Sequence, residues 1–162
     1  MNSSGLKLDL ARGTRAWTPA QARMHDWAAA ALGRRGARRE VAVRVVAARE
    51  SRALNKLWRG KDQPTNVLSF PAPPIPSKIG SQRGLPRDTT IPLGDLVICA
   101  DVVKREAIRD GKTMLAHWAH MIVHGALHLA GYDHERGERD RKKMERREIA
   151  VLKSFGFRNP YT

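Results

Sequence analysis

His124-Gly125-Ala126-Leu127-His128-Leu129-Ala130-Gly131-Tyr132-Asp133-His134 is the stretch on which the reading of this chain turns. The residues that lead into it, 115–129, are apolar and free of proline, which predicts a buried or half-buried helix. Residues four apart on a helix stand on one face with their Cβ atoms ~6 Å apart. His124 and His128 therefore converge, and two imidazoles can reach one zinc at ~2.0–2.1 Å each. Gly131 ends the helix in a left-handed turn at little cost. The doubled-back chain then presents His134 as a third ligand. Three neutral nitrogens leave a fourth coordination position open, which is the pattern of a catalytic zinc site rather than a closed structural one. The expected cofactor is one Zn2+ per chain, held by His124, His128 and His134.

A plainer reading is a histidine-rich helix with no metal, because His117 and His120 extend the same stripe. The rival triad His120, His124 and His128 fails on geometry. Its ends lie ~12 Å apart along the helix axis, beyond the reach of one tetrahedral ion. Two helical ligands and one beyond the turn form the workable set. His117 and His120 are read as packing groups or as supports for neighbouring side chains.

Outward from this run, strands and helices alternate. Leu6-Lys7-Leu8-Asp9-Leu10 alternates apolar and polar, which predicts a short strand. Thr18 and Pro19 open an alanine-rich helix that runs to about Leu32 and closes at Gly33. Val41, Val43 and Val45 alternate within a strand over 40–47. Ser51 is expected to cap a short helix whose apolar members are Leu54, Leu57 and Trp58, with Gly60 after it. Further strands are expected at 65–70, stopped by Pro71, and at 95–100, where near-continuous apolar character suits burial on both faces. Asp101 caps a helix to Arg109, and a last helix over 138–154 turns Met144, Ile149, Leu152 and Phe155 to one side. The sequence contains no internal repeat.

Composition sets the class. A chain of 162 residues is one domain's worth, 1–162, and can bury one substantial core. Lys and Arg number 30 against 16 Asp and Glu, a net charge of +14, with a pI near 11.0. That balance attracts polyanions, of which nucleic acid is the commonest for a soluble basic domain; the plainer account is a solvated basic surface. The one cysteine, Cys99, has no internal disulfide partner and sits in an apolar run, where it reads as a small buried hydrophobe. No stretch is long and apolar enough to span a bilayer, and the N-terminus does not resemble a secretory signal. A cytoplasmic location with no membrane partner is expected.

Texture changes between residues 72 and 92. Pro73, Pro74, Pro76, Pro86 and Pro92, with Gly80 and Gly84, oppose regular structure over most of this Pro-rich loop insert. Loops this long are usually functional lids or disordered inserts. Lys78, Arg83 and Arg87 make the insert basic. A disordered insert is the first reading, and an RNA-contacting flap is the sharper one.

The histidine spacing resembles the zinc signature of metzincin peptidases, which carries a glutamate general base after its first histidine. Gly125 occupies that position here, so peptide hydrolysis lacks its base. Glycine within a helix costs ~1 kcal/mol relative to alanine, and a close approach to another element would explain it. The missing negative charge suits an anionic substrate such as a phosphodiester.

A closer resemblance is to the YbeY family of bacterial metal-dependent endoribonucleases, which act in ribosomal RNA maturation and ribosome quality control. It covers roughly residues 41–161. It rests on Leu54-Asn55, Arg59-Gly60-Lys61-Asp62, Pro64-Thr65-Asn66-Val67-Leu68-Ser69-Phe70-Pro71, Leu93-Gly94-Asp95-Leu96-Val97-Ile98, the histidine run, and Met144-Glu145 with Glu148. The Pro-rich insert departs from the compact family pattern. The resemblance implies an α/β (α+β) fold with a small mixed sheet packed by helices, akin to zincins, and a metal on His124, His128 and His134. It also marks Arg59 as functionally important.

Arg59 makes chemical sense there. A guanidinium fits phosphate oxygens in a planar fork and keeps its charge near neutral pH. Opposite a metal it could clamp the phosphodiester and stabilise the charge that grows in the transition state. Its plainer role is a surface arginine capping helix carbonyls. Asp133 either orients an imidazole or caps the turn, and Asp62, Thr65 and Asn66 read chiefly as turn formers. Met144 reads as core.

The expected function is a metal-dependent single-strand endoribonuclease acting on ribosomal RNA, with the metal lowering the pKa of a bound water and Arg59 as the catalytic arginine. The nucleophile, water or the substrate's 2′-hydroxyl, and the general base stay unassigned. The alternatives are a ribosome-associated RNA-binding factor with a mainly structural metal, and a peptidase-like hydrolase. Expected partners are single-stranded ribosomal RNA, the ribosome and ribosomal proteins.

Overall fold

Alternating valines build the centre of the sheet. In the computed structural model, which describes residues 5–73, 86 and 88–162, they lie on β2 (Arg39–Val46). Val41, Val43 and Val45 all point into the core, at most 1% exposed, as a period of two requires. Strand β1 (Lys7–Arg12) runs parallel on one side of β2, and β4 (Ile91–Cys99) runs parallel on the other. Strand β3 (Val67–Pro71) closes the far edge antiparallel to β4, giving the order β1-β2-β4-β3.

Helices cover both faces of this sheet unequally. The larger core packs α1 (Gln21–Leu32), α4 (Met114–Leu129) and α5 (Glu138–Ser154) against Val43, Leu96 and Ile98, through Trp27, Trp118, Ile122 and Met144. A smaller cluster on the opposite face joins Val46, Leu68 and Val97 to Leu54 of α2 (Ala48–Arg59) and to Phe70. Helix α3 (Ala100–Arg109) connects β4 to α4. The chain is thus a mixed α/β fold of the expected class.

Helix α4 is the central helix, apolar almost all round, as a buried helix is. Each large side chain buried along it contributes roughly 1.5–3 kcal/mol. Gly125 explains how closely it lies on the sheet. A Cβ at that position would stand 2.8 Å from Leu96 Cδ2 on β4, so the close approach that the sequence suggested is present.

Several boundaries differ from expectation. Helix α1 begins at Gln21, and Thr18 Oγ1 instead accepts a hydrogen bond from Arg12 Nε at 2.9 Å. Helix α2 begins at Ala48, so Ser51 lies inside it and does not cap it. Buried there, the Ser51 hydroxyl donates to the Thr65 carbonyl at 3.0 Å and accepts the Thr65 N–H at 2.9 Å. Cys99 is the N-cap of α3, and Asp101 falls in the first turn, where its charge complements the helix dipole. Cys99 is a buried free thiol, as expected.

Strand β4 starts at Ile91 rather than Asp95, so Pro92 belongs to the sheet and not to the Pro-rich stretch. A register slip makes this possible. Glu40 opposes Pro92 while Val41 opposes Gly94, and bulges are where a sheet tolerates proline. Lys78, Arg83 and Arg87 lie outside the described residues. On α5 the core face is Met144, Glu148, Val151 and Leu152, while Phe155 is exposed. No helix among the described residues is long and apolar enough to cross a membrane.

Candidate metal centre and its cleft

Local rules bring the three histidines together. Thr113 caps α4 by accepting the Ala116 N–H at 3.1 Å. At the other end, the Gly131 N–H reaches His128 O and the Tyr132 N–H reaches Leu127 O, both at 3.0 Å. This paired closure is the Schellman motif, and Gly131 supplies its positive φ of 99°. The chain reverses and His134 returns to the helix. Ring centroids of His124, His128 and His134 stand 4.7, 4.9 and 5.2 Å apart, and one nitrogen of each lies within 4.8 Å of the others.

The nitrogens themselves test whether a cation fits. His124 Nδ1 lies 3.3 Å from Glu148 Oε1, so that nitrogen carries the proton. The His128 ring hydrogen-bonds the Tyr132 backbone, which uses its other N–H. Their Nε2 atoms face each other 3.2 Å apart, and with the proton on Nδ1 of both rings each presents a lone pair. Two ligands of a tetrahedral zinc sit ~3.3 Å apart at ordinary bond lengths. A cation between them turns repulsion into ligation. Burial, with His124 and His134 nearby, pushes His128 down to about 4, so its imidazole is neutral and available near pH 7.

Behind the triad lies a group that the sequence reading did not assign. Glu148 on α5 is 1% exposed. It accepts from His120 Nε2 at 2.5 Å, from the Tyr161 hydroxyl at 2.8 Å and from His124 Nδ1. Burial raises its pKa, but the hydrogen bonds from His120 and His124 prevail and set it at about 2. Burial and the Glu148 charge push Tyr161 well above its ordinary value, so it stays a donor. A carboxylate that fixes a ligand imidazole in this way sets its tautomer and orientation. His120 is therefore a support, as expected. His117 supports a different place, bonding Glu106 at 2.9 Å.

The triad opens into a cleft of about 730 Å³, bounded by the end of α2, by β3 and by the loop after α4. Arg59 lines it, with its guanidinium 3.5 Å from Glu135 across the mouth. Asp133 serves the turn, accepting the Glu135 N–H at 2.8 Å and pairing with Arg136 at 3.2 Å. Asp62 pairs with Arg52 at 2.7 Å, and Asn66 donates to Glu106 at 3.0 Å. Met144 is fully buried core.

Helix α2 buries polar residues and exposes two of its apolar ones. Its buried residues are Ser51 and Asn55, whereas Leu57 and Trp58 are 73% and 65% exposed. The polar pair is buried because it holds the following loop, Asn55 Nδ2 donating to Gln63 O at 2.8 Å. Local apolar spacing gave no sign of this, because the partners lie in a different segment.

Fold and cleft together define a class: a mixed α/β protein with a three-histidine cradle opening on an arginine-lined groove. The chain belongs to the YbeY endoribonuclease family, whose model, described as Endoribonuclease YbeY, matches residues 14–156. It is 50% identical to the Endoribonuclease YbeY of Methylococcus capsulatus over 96% of this chain and 95% of that protein. The Endoribonuclease YbeY of Stenotrophomonas maltophilia is 46% identical over 99% of this chain and 98% of its own length. The solution structure of TM1509 from Thermotoga maritima has a similar fold, with a TM-score of 0.57 and 22% identity over 90% of this chain and 87% of that one.

Proposed function

We propose that this chain is a metal-dependent endoribonuclease that cuts single-stranded ribosomal RNA during ribosome maturation and quality control in the cytoplasm. The observation that carries the reading is the convergence of three imidazoles, with the Nε2 atoms of His124 and His128 3.2 Å apart and His134 within reach, at the base of the arginine-lined cleft. His124, His128 and His134 would hold a zinc ion, for which three imidazoles with an open position are suited. When bound, the ion supplies Lewis-acid polarisation of the phosphodiester.

The protein's own groups do the rest. Glu148, held by His120 and Tyr161, keeps the Nδ1 proton on His124 and so keeps Nε2 free. Arg59 binds the non-bridging phosphate oxygens and stabilises the charge that develops on them. Gly125 lets α4 lie against Leu96 of β4, and the glutamate base of the metzincin signature is absent from that position. The net charge of +14 draws the polyanion to the cleft, and ribosomal RNA with its proteins would be the natural partner.

Elemental analysis of protein purified without chelators, paired with cleavage of a single-stranded RNA, tests the reading. About one zinc per chain is expected. His128→Ala should lose both metal and cleavage, whereas Arg59→Glu should keep the metal and lose most turnover. Metal-free native protein, or cleavage that survives His128→Ala, would overturn it. RNA binding without cleavage, together with unfolding on metal removal, would assign the metal a structural role instead.

A further inference from the structure

Trp58 is the largest apolar side chain in the wall of the cleft, and two-thirds of it faces solvent. It stands in the last turn of α2 immediately before Arg59. Its ring meets Phe70 of β3 edge-on, with centroids 5.9 Å apart and planes at 70°. Phe70 in turn packs on the small core cluster. The indole is thus braced on one side and open on the other.

We propose that Trp58 is a stacking platform for one unpaired nucleobase of the RNA, adjacent to the phosphate that Arg59 holds. Three observations select this occupant. The indole lines the same cleft as the imidazole triad, so whatever extends from a phosphate at the triad passes it. The cleft wall carries Arg59 and Arg136 beside Asp133 and Glu135, Lys56 and Lys61 flank the indole in the sequence, and the chain as a whole carries +14, which favours a polyanion over an apolar protein surface. A tryptophan next to an arginine also suits a base, whose π face stacks on either side chain. A base inside a duplex is already stacked and cannot reach the indole, so preference for single strands follows from this one residue.

The inference rests on the reading of the cleft as an RNA-cutting site. Zinc-loaded protein is titrated with a 2′-O-methyl oligoribonucleotide and with the same oligomer carrying one abasic sugar at each position in turn. Trp58→Ala should bind the intact oligomer roughly tenfold more weakly, and Trp58→Tyr should recover most of that loss. One abasic position should weaken wild-type binding similarly and weaken Trp58→Ala no further, which marks the two as partners. The salt slope should not change, because no phosphate contact is removed. Trp17→Ala, the control at another exposed tryptophan, should bind as wild type.

Unchanged RNA affinity in Trp58→Ala would overturn the proposal and reassign the indole to a protein contact. An abasic scan of the wild type without a sensitive position would overturn it even if the variant did not fold. Wild-type protein that neither binds nor cuts RNA removes both readings. Cleavage by the wild type with an unaffected Trp58→Ala variant removes only the stacking.

Discussion

At the scale of single residues, the proposed metal site depends on protons being where three coordinating imidazoles would need them. Glu148 accepts from His120, His124 and Tyr161, and a carboxylate with that many donors stays ionised despite burial. Replacing it by Gln keeps the shape but removes the charge and puts a donor where an acceptor stood. Glu148→Gln should weaken zinc binding by roughly 10–100-fold, read by competition with a chromophoric chelator. His117→Ala should leave zinc affinity unchanged, because His117 bonds Glu106 and not the triad. Equal affinities of Glu148→Gln and wild type would reduce Glu148 to a packing group.

Elements are joined by a few contacts that carry more than their share. Glu106 on α3 accepts from His117 of α4 at 2.9 Å and from Asn66, just before β3, at 3.0 Å. The His117 hydrogen bond holds its carboxyl below the ordinary 4.5, against burial and with help from Asn66. A depressed carboxylate contributes stability that is full above its unfolded pKa and is lost as pH falls through the folded value. Urea midpoints of wild type should therefore exceed those of Glu106→Gln above pH about 4.5, and the two should converge in more acid solution. A constant gap across that range would show that the ionised form is not what matters. The α4–β4 contact makes a second case. Gly125→Glu would restore the metzincin glutamate, but its Cβ meets Leu96 at 2.8 Å and its charge has no buried partner. Overpacking and desolvation together should cost at least ~3 kcal/mol, read as a fall in Tm with no gain of peptidase activity.

For the whole molecule, charge is the quantity that matters. Each phosphate neutralised by Lys or Arg releases condensed counterion, so log affinity falls with log salt at a slope of ~0.7 per contact on single strands. With a net charge of +14, several contacts and a slope well above one are expected in fluorescence anisotropy across a salt series. Such contacts weaken equally for every sequence, because phosphates carry no base information. RNA binding that ignores salt would return the charge to a solubility role.

The sequence by itself determined what depends on near neighbours in the chain. An i, i+4 histidine pair, an apolar run and a glycine after it place His124, His128 and His134 through helix geometry and one turn. The alternating valines of β2 likewise declared a strand, and Gly125 announced the close approach of another element. Tertiary structure alone decided what is made from distant segments. Glu148 was among the residues that carry the family resemblance, but its contacts with His120, His124 and Tyr161 exist only once α5 docks on α4. Trp58 read only as an apolar member of a short helix; the loop that Ser51 and Asn55 hold turned the polar side of α2 inward and left the indole at the cleft. Periodicity records which residues share a face, whereas the packing of the remaining elements decides whether that face meets protein or solvent.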